Sequence, residues 1–126
     1  MSWLLDTSVL IGVESGRLAG APTEDVAISV VTLAELEAGV LVAAESGVRA
    51  RRLNTLRRAR ELAEPLQIDE DVASAFAALR VALFETGRRM PVNDAWIAAS
   101  AIANDLGVCT QDDDFDGVPG LEVMRI

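Results

Sequence analysis

The sequence predicts an α/β fold, a mostly parallel sheet with helices on both faces. Two observations carry this. Short apolar or β-branched runs alternate along the chain with longer segments of helical periodicity. The chain has 126 residues, 51% of them hydrophobic, and a mean hydropathy of +0.29. That is enough apolar material for a core without disulfides or zinc, and the length fits one domain, residues 1–126.

Trp3-Leu4-Leu5 is the first apolar run and ends at Asp6. Thr7 to about Gly16 reads as a helix, and a loop with Gly20 and Pro22 follows. Val26 to Val31 is the most β-branched stretch and reads as a strand. Thr32 to about Ser46 and Val48 to about Glu64 read as two helices, the second broken by Pro65. Leu66-Gln67-Ile68 reads as a short strand. Asp69 to Glu85 is an alanine-rich helix stopped by Gly87. Asn93 to Leu106 is helical and apolar on nearly all sides, so it is expected to be buried. Gly107 to Thr110 reads as a strand, Gln111 to Gly117 as an acidic turn, and Leu121 to Ile126 as an edge strand.

The composition excludes several chemistries. The chain has no His, no Tyr and no Lys, and all 11 basic residues are Arg. A histidine triad, a zinc site with His ligands, a Schiff base and a P-loop lysine are therefore absent. One cysteine, Cys109, forms no internal disulfide; a reducing cytoplasm fits, and Cys109 reads as a buried strand thiol. No apolar run reaches membrane-span length, and the first residues carry no basic segment, so neither a membrane span nor a secretory signal is expected. Twenty acids against 11 arginines give a net charge of −9, which excludes nucleic-acid affinity from bulk charge.

The acids are the informative residues. In a parallel sheet all strand C-termini share one edge, where ligands bind. Asp6 ends the first strand, Glu35 follows the second, and Asp112 and Asp114 follow the strand that ends at Thr110. Asp94 opens the helix that feeds that strand, so its start lies at the same edge. Two carboxylates ~5 Å apart repel by about 3 kcal/mol at an effective dielectric of 20. Several together protonate or take a divalent cation, and all-oxygen donors select Mg²⁺ or Mn²⁺. Such sites handle phosphates.

Each acid also has a plainer reading. Asp6 and Asp94 suit helix N-termini, and Thr32-x-x-Glu35 fits a capping box. Residues 112–116 suit a solvated turn, the preferred reading for Asp113 and Asp116. Glu37 competes with Glu35 but lies about 200° away around the helix. Asp112-x-Asp114-x-Asp116-Gly117 matches half a calcium loop, but the twelfth position is Val123 and the segment follows a strand. A response-regulator receiver would need a lysine.

Taken together, Leu4-Leu5-Asp6-Thr7-Ser8-Val9-Leu10-Ile11, Thr32-x-x-Glu35-Leu36-x-x-Gly39, Asp94-x-x-Ile97-Ala98-Ala99 and Thr110-x-Asp112-x-Asp114-Phe115 resemble a PIN-domain ribonuclease. The size and the chain-long match resemble the VapC-type toxins of bacterial toxin–antitoxin pairs. The resemblance implies a three-layer α/β/α sandwich with a mostly parallel central sheet. It implies cleavage of RNA, such as tRNA or ribosomal RNA, with one or two Mg²⁺ or Mn²⁺ ions. It also implies a homodimer held inactive by a cognate VapB-type antitoxin. Asp6, Glu35, Asp94 and Asp112 then match the catalytic metal-site acids, and Asp114 the next acidic position. Thr7, Ser8 and Thr110 match polar positions beside them and would orient carboxylates. Helix capping by Ser8 and a plain strand-end hydroxyl at Thr110 remain the simpler readings. A PIN-fold scaffold that binds RNA or a partner without cutting is the non-enzymatic alternative.

Six arginines lie between residues 49 and 60, among them Arg49, Arg51 and Arg52. They are candidate phosphate contacts, yet they spread around the helix and equally suit a solvated face, with Arg57–Glu61 and Arg60–Glu64 at pairing distance. Arg88 and Arg89 stand nearer Asp94. The net charge of −9 suits an inhibitor segment bearing Arg or Lys. Trp3, Trp96, Phe76, Phe84 and Phe115 read as core.

Overall fold

The computed structural model describes residues 2–126. The strands are β1 (Trp3–Leu5), β2 (Val26–Ser29), β3 (Pro65–Leu66), β4 (Gly107–Thr110) and β5 (Val123–Arg125). The helices are α1 (Thr7–Glu14), α2 (Val30–Val42), α3 (Ser46–Leu62), α4 (Glu70–Glu85) and α5 (Val92–Ala103). The sheet order is β3-β2-β1-β4-β5, and every pairing is parallel.

The strands are too short to hold a sheet by themselves; the helices on both faces make it stable. Along β1, Leu4 enters one core and Leu5 the other, as a two-residue side-chain period requires. Val108 and Cys109 divide in the same way on β4. One core joins Leu4 and Val108 to Leu79 and Leu83 of α4 and to Ala95, Ile97, Ala98 and Ala101 of α5. The other joins Leu5 and Cys109 to Val9 and Leu10 of α1, Leu36 and Val40 of α2, and Leu56 and Ala59 of α3. Three layers result. Each fully buried Leu or Val side chain contributes about 1.5–3 kcal/mol before entropy is counted.

Several expected boundaries move. The β-branched run does not continue as strand through Val31, because α2 begins at Val30. Ser29 decides this: its hydroxyl accepts the Val31 N–H at 3.0 Å and caps the helix. Thr32 therefore lies inside the helix, and the Thr32–Glu35 capping box does not form. The third strand is Pro65–Leu66, not residues 66–68, and pairs with Ile28 and Ser29. It is an edge strand, where a proline lacking an N–H costs least. Phe84 is 85% exposed and not core. It follows Leu83, whose direction into the core leaves the next position about 100° away. Phe115 is fully buried, and Trp96 stacks on Phe76 with centroids 3.6 Å apart against the α4–α5 core.

The topology places the site. From β1 the chain winds outward through β2 and β3, then crosses back to β4 on the other side of β1. The C-terminal ends of β1 and β4 therefore flank the point where winding reverses, where open parallel sheets form a crevice. No helix is long and apolar enough to cross a membrane among the described residues.

Candidate metal centre

Asp6 leaves β1 into this crevice and is 2% exposed. It occupies the N-cap position of α1 in an extended conformation, but its side chain caps nothing. Its backbone N–H donates to the Cys109 carbonyl at 2.9 Å, locking it to the end of β4. Its Oδ2 accepts from the Ser8 hydroxyl at 2.6 Å and from the Thr110 hydroxyl at 2.9 Å. Each hydroxyl has one hydrogen to give, and both are spent on Asp6. Their lone pairs then accept backbone N–H groups: Gln111 to Ser8 and Asp112 to Thr110, both at 3.0 Å. Ser8 and Thr110 thus tie the start of the acidic loop to Asp6.

Glu35 is held in the same manner from the other side. Thr7 donates to Glu35 Oε1 at 2.7 Å, and the Thr32 hydroxyl lies 3.0 Å from that of Thr7. Thr7 spends its hydrogen on Glu35, so Thr32 supplies the hydrogen between the two threonines. Thr32 is fully buried and was missed as a support for Glu35. A threonine three positions before Glu35, and so on the same side of the helix, was its sequence signal. Glu37 is exposed, on another face of α2.

Asp94, in the first turn of α5, is half-buried. Burial first, then the charge of Asp6, the charge and hydrogen-bonding carboxyl of Asp114, and the charge of Glu35, together push its carboxyl up to about 7. Asp112 is an exposed residue, yet its carboxyl is also raised, by partial desolvation first and then by Asp6, Asp114 and Asp113. Arg17 opposes that shift, and its guanidinium contacts Gln111 Oε1 at 3.4 Å. Arg17 lies 94 positions from Gln111, and no sequence feature pointed to it.

Asp6, Glu35, Asp94 and Asp114 are therefore brought together around Asp94, while Asp112 stands on the Asp6 and Asp114 side. Asp113 and Asp116 are exposed, and Asp116 pairs with Arg125. The ion pairs among the described residues are Arg51–Glu14 and Arg125–Asp116, so none of the five clustered acids has a basic partner. Carboxylates crowded in this way, without basic side chains, suit a hard divalent cation. Among the described residues the side chains do not close into a cage of three or more ligands. The fit lies in charge and oxygen chemistry.

The arginines divide. Arg49 is exposed. Arg51 reaches Glu14 at 3.9 Å, and Arg52 donates to the Gly39 carbonyl at 2.7 Å. The expected pairs Arg57–Glu61 and Arg60–Glu64 are not closed among the described residues. Arg88 gives both terminal nitrogens to the carbonyls of Asp114 and Asp116. Arg89 is exposed and, with Arg80, Phe84 and Met90, lines a cleft of about 370 Å³. A second cleft of about 320 Å³ joins Glu35, Glu14 and Arg52 to the apolar Ile11, Leu36 and Val42. Cys109 is fully buried, and burial followed by the Asp6 charge raises its thiol, which suits a core side chain and not a nucleophile.

Comparison with known proteins agrees with this geometry. The model of the PIN domain matches residues 3–121. Ribonuclease VapC5 of Mycobacterium tuberculosis is 51% identical over 128 residues, covering 98% of this chain and 94% of the relative. Ribonuclease VapC4 of the same organism is 44% identical, covering 98% and 95%. The crystal structure of VapBC-5, a member of the VapBC family of toxin-antitoxin systems from Mycobacterium tuberculosis, matches with a TM-score of 0.86 and 46% identity. That match covers 99% of this chain and 98% of the other. A family model over residues 3–121 and relatives 51% and 44% identical over 98% of the chain lead to one conclusion: the chain belongs to the PIN-domain family, among the VapC proteins.

Proposed function

We propose that this chain is a Mg²⁺- or Mn²⁺-dependent endoribonuclease, the toxin of a toxin–antitoxin pair, acting on structured RNA such as tRNA or ribosomal RNA. The observation that carries the proposal is the carboxyl of Asp94. It is raised to about 7 among Asp6, Asp114 and Glu35, with no basic side chain paired to any of them. The likeness to ribonucleases named VapC supports RNA as the substrate.

Asp6, Asp94 and Asp114 would hold one or two cations, with Asp112 beside them and Glu35 at the margin. When bound, such a cation neutralises the cluster, polarises the scissile phosphate and makes water a usable nucleophile at neutral pH. The chain's own residues do the rest. Ser8 and Thr110 keep one Asp6 oxygen occupied as an acceptor and so orient the other. Thr7 fixes Glu35 Oε1, leaving Oε2 to orient the attacking water and accept its proton. As water's oxygen bonds to phosphorus the P–O3′ bond breaks, and the leaving 3′-oxygen takes a proton from solvent, so the products carry 5′-phosphate and 3′-hydroxyl ends. Arg89 and the exposed Phe84 offer a charge and a stacking face for the RNA beside the site.

The cleft of Glu35, Glu14, Ile11, Leu36 and Val42 suits a VapB-type antitoxin. Its apolar wall would take an amphipathic segment, and Glu35 an Arg or Lys. The likeness to VapBC-5, a member of a family of toxin-antitoxin systems, supports this partner. A homodimer completes the proposal.

The test is cleavage of a small-RNA pool with Mn²⁺ or Mg²⁺, against EDTA and against Asp94→Asn, with the ends of the fragments mapped. Metal-dependent cuts with 5′-phosphates, lost in the variant, are expected. Cuts bearing 2′,3′-cyclic phosphates would overturn the mechanism, and a protein that neither binds Mn²⁺ nor cuts would overturn the activity.

A further inference from the structure

We propose that Arg88 is a positioning residue: it clamps the main chain of the acidic loop to the end of α4 and thereby sets where Asp114 stands against Asp94. The proposal rests on the metal-centre reading above. Its structural basis is independent of RNA.

Arg88 is anchored at both ends. Its backbone N–H donates to the Leu83 carbonyl at 2.9 Å, in the last turn of α4, and Leu83 is buried. The reversal that allows this bond passes through Gly87, whose φ of +69° suits glycine. At the other end, Nη2 donates to the Asp114 carbonyl at 2.7 Å and Nη1 to the Asp116 carbonyl. These two carbonyls flank Phe115, which is fully buried. The loop is therefore fixed three times within three residues: by one nitrogen of the guanidinium fork on each side and by an aromatic ring sunk in the core between them.

The choice of partners is the telling feature. Arg88 lies close to a cluster of unpaired carboxylates, yet it forms no ion pair with any of them among the described residues. It binds carbonyl oxygens, which do not titrate, and leaves the carboxylates to a cation. A planar fork can donate to two carbonyls two residues apart; a lysine ammonium is a single point of charge. Gly117, with φ of +69°, closes the loop in a backbone conformation that suits glycine. Arg125 pairs with the Asp116 carboxylate from β5, so that side chain is held elsewhere while Arg88 takes its backbone. Asp114, held by its backbone carbonyl, keeps its side chain free to face Asp94. This use of Arg88 replaces its candidacy as a phosphate contact.

The experiment compares Arg88→Gln and Arg88→Lys with the unaltered chain by three readouts. Amide exchange of residues 111–118 is measured without divalent ions. Mn²⁺ affinity is measured without RNA. Then kcat and KM are measured on the cleaved RNA. For Arg88→Gln, exchange in the loop is expected to quicken about tenfold while β1 and α5 stay protected. Mn²⁺ affinity is expected to fall about 10–100-fold. A fall in kcat with KM nearly unchanged completes the expectation. Arg88→Lys should recover little, and it carries the same measurements if the glutamine variant does not fold. Unchanged loop exchange in both variants overturns the clamp. A raised KM with Mn²⁺ affinity intact also overturns it, in favour of an RNA contact. If the unaltered chain binds no Mn²⁺ and cuts no RNA, the nuclease reading fails, while loop exchange still decides the clamp.

Discussion

The two sides of the acidic crevice are built differently. On the β1–α1–α2 side, Asp6 and Glu35 accept hydroxyl hydrogens from Ser8, Thr110 and Thr7 at 2.6–2.9 Å. On the α5 and loop side, desolvation and neighbouring carboxylates raise both Asp94 and Asp112. Donors fix the first pair in place; desolvation first, and then repulsion, disfavour the charge of the second pair. The loop side compensates by bracing its backbone, through Arg88, in place of its carboxylates. A crevice of this kind keeps half its carboxylates rigid and leaves the charge of the other half to be neutralised.

The most damaging way to break the comparison is Asp94→Asn. Cleavage in Mn²⁺ should fall about 10³-fold, roughly 4 kcal/mol in the barrier. In EDTA at alkaline pH the same variant should melt higher, because a repelling charge is gone. Kinetics and thermal melts check the two halves of that expectation, and loss of both activity and stability would contradict it.

On the fixed side, Ser8→Ala combined with Thr110→Val removes both donors to Asp6. Activity should fall about 10–100-fold. Stability should fall by about 1–3 kcal/mol, since Asp6 stays buried with its acceptors unpaired. Denaturant melts should therefore move in the opposite direction from those of Asp94→Asn. A double variant that melts like the unaltered chain would show that the hydroxyls carry no load.

The pH dependence of stability sharpens the contrast. Folding raises Asp94 from 3.8 to about 7, so the folded chain binds its proton more tightly than the unfolded chain does. The resulting stability is fully present below pH ~4 and is lost as pH rises through about 7. Asp112 shifts in the same direction. The melting temperature in EDTA should therefore drop by several degrees between about pH 5.5 and 8.5, and Mn²⁺ should restore it at the higher pH. A melting temperature flat across that range would remove the argument for coupled carboxylates. The smallest effect is expected at Arg89→Gln, outside both halves. There KM for RNA should rise a few-fold, and the salt dependence of binding should weaken by about one phosphate contact.

The alternation of apolar runs and helices was enough to predict a parallel α/β fold, because that alternation is local and periodic. The four acidic motifs were legible for the same reason: each acid stands at the end of a run or the start of a helix. The exceptions are as instructive. Val30 and Val31 look like strand, and one serine hydroxyl turns them into helix. Phe84 looks like core, and one residue of helical rotation exposes it. Arg88 looks like a phosphate contact, but both its terminal nitrogens are given to loop carbonyls.

By itself, the sequence determined the elements, the absence of histidine and lysine chemistry, and which carboxylates had a reason to meet. Only the tertiary structure decided how they meet. Thr110 stands 104 residues from Asp6, Glu35 28 from Thr7, and Arg88 26 from Asp114. Periodicity reports which face a side chain occupies. It says nothing of what lies opposite once β4 has crossed over to the far side of β1. Hydrogen-bond partners, desolvation and coupled protonation arise from that opposition, and so belong to the folded chain alone.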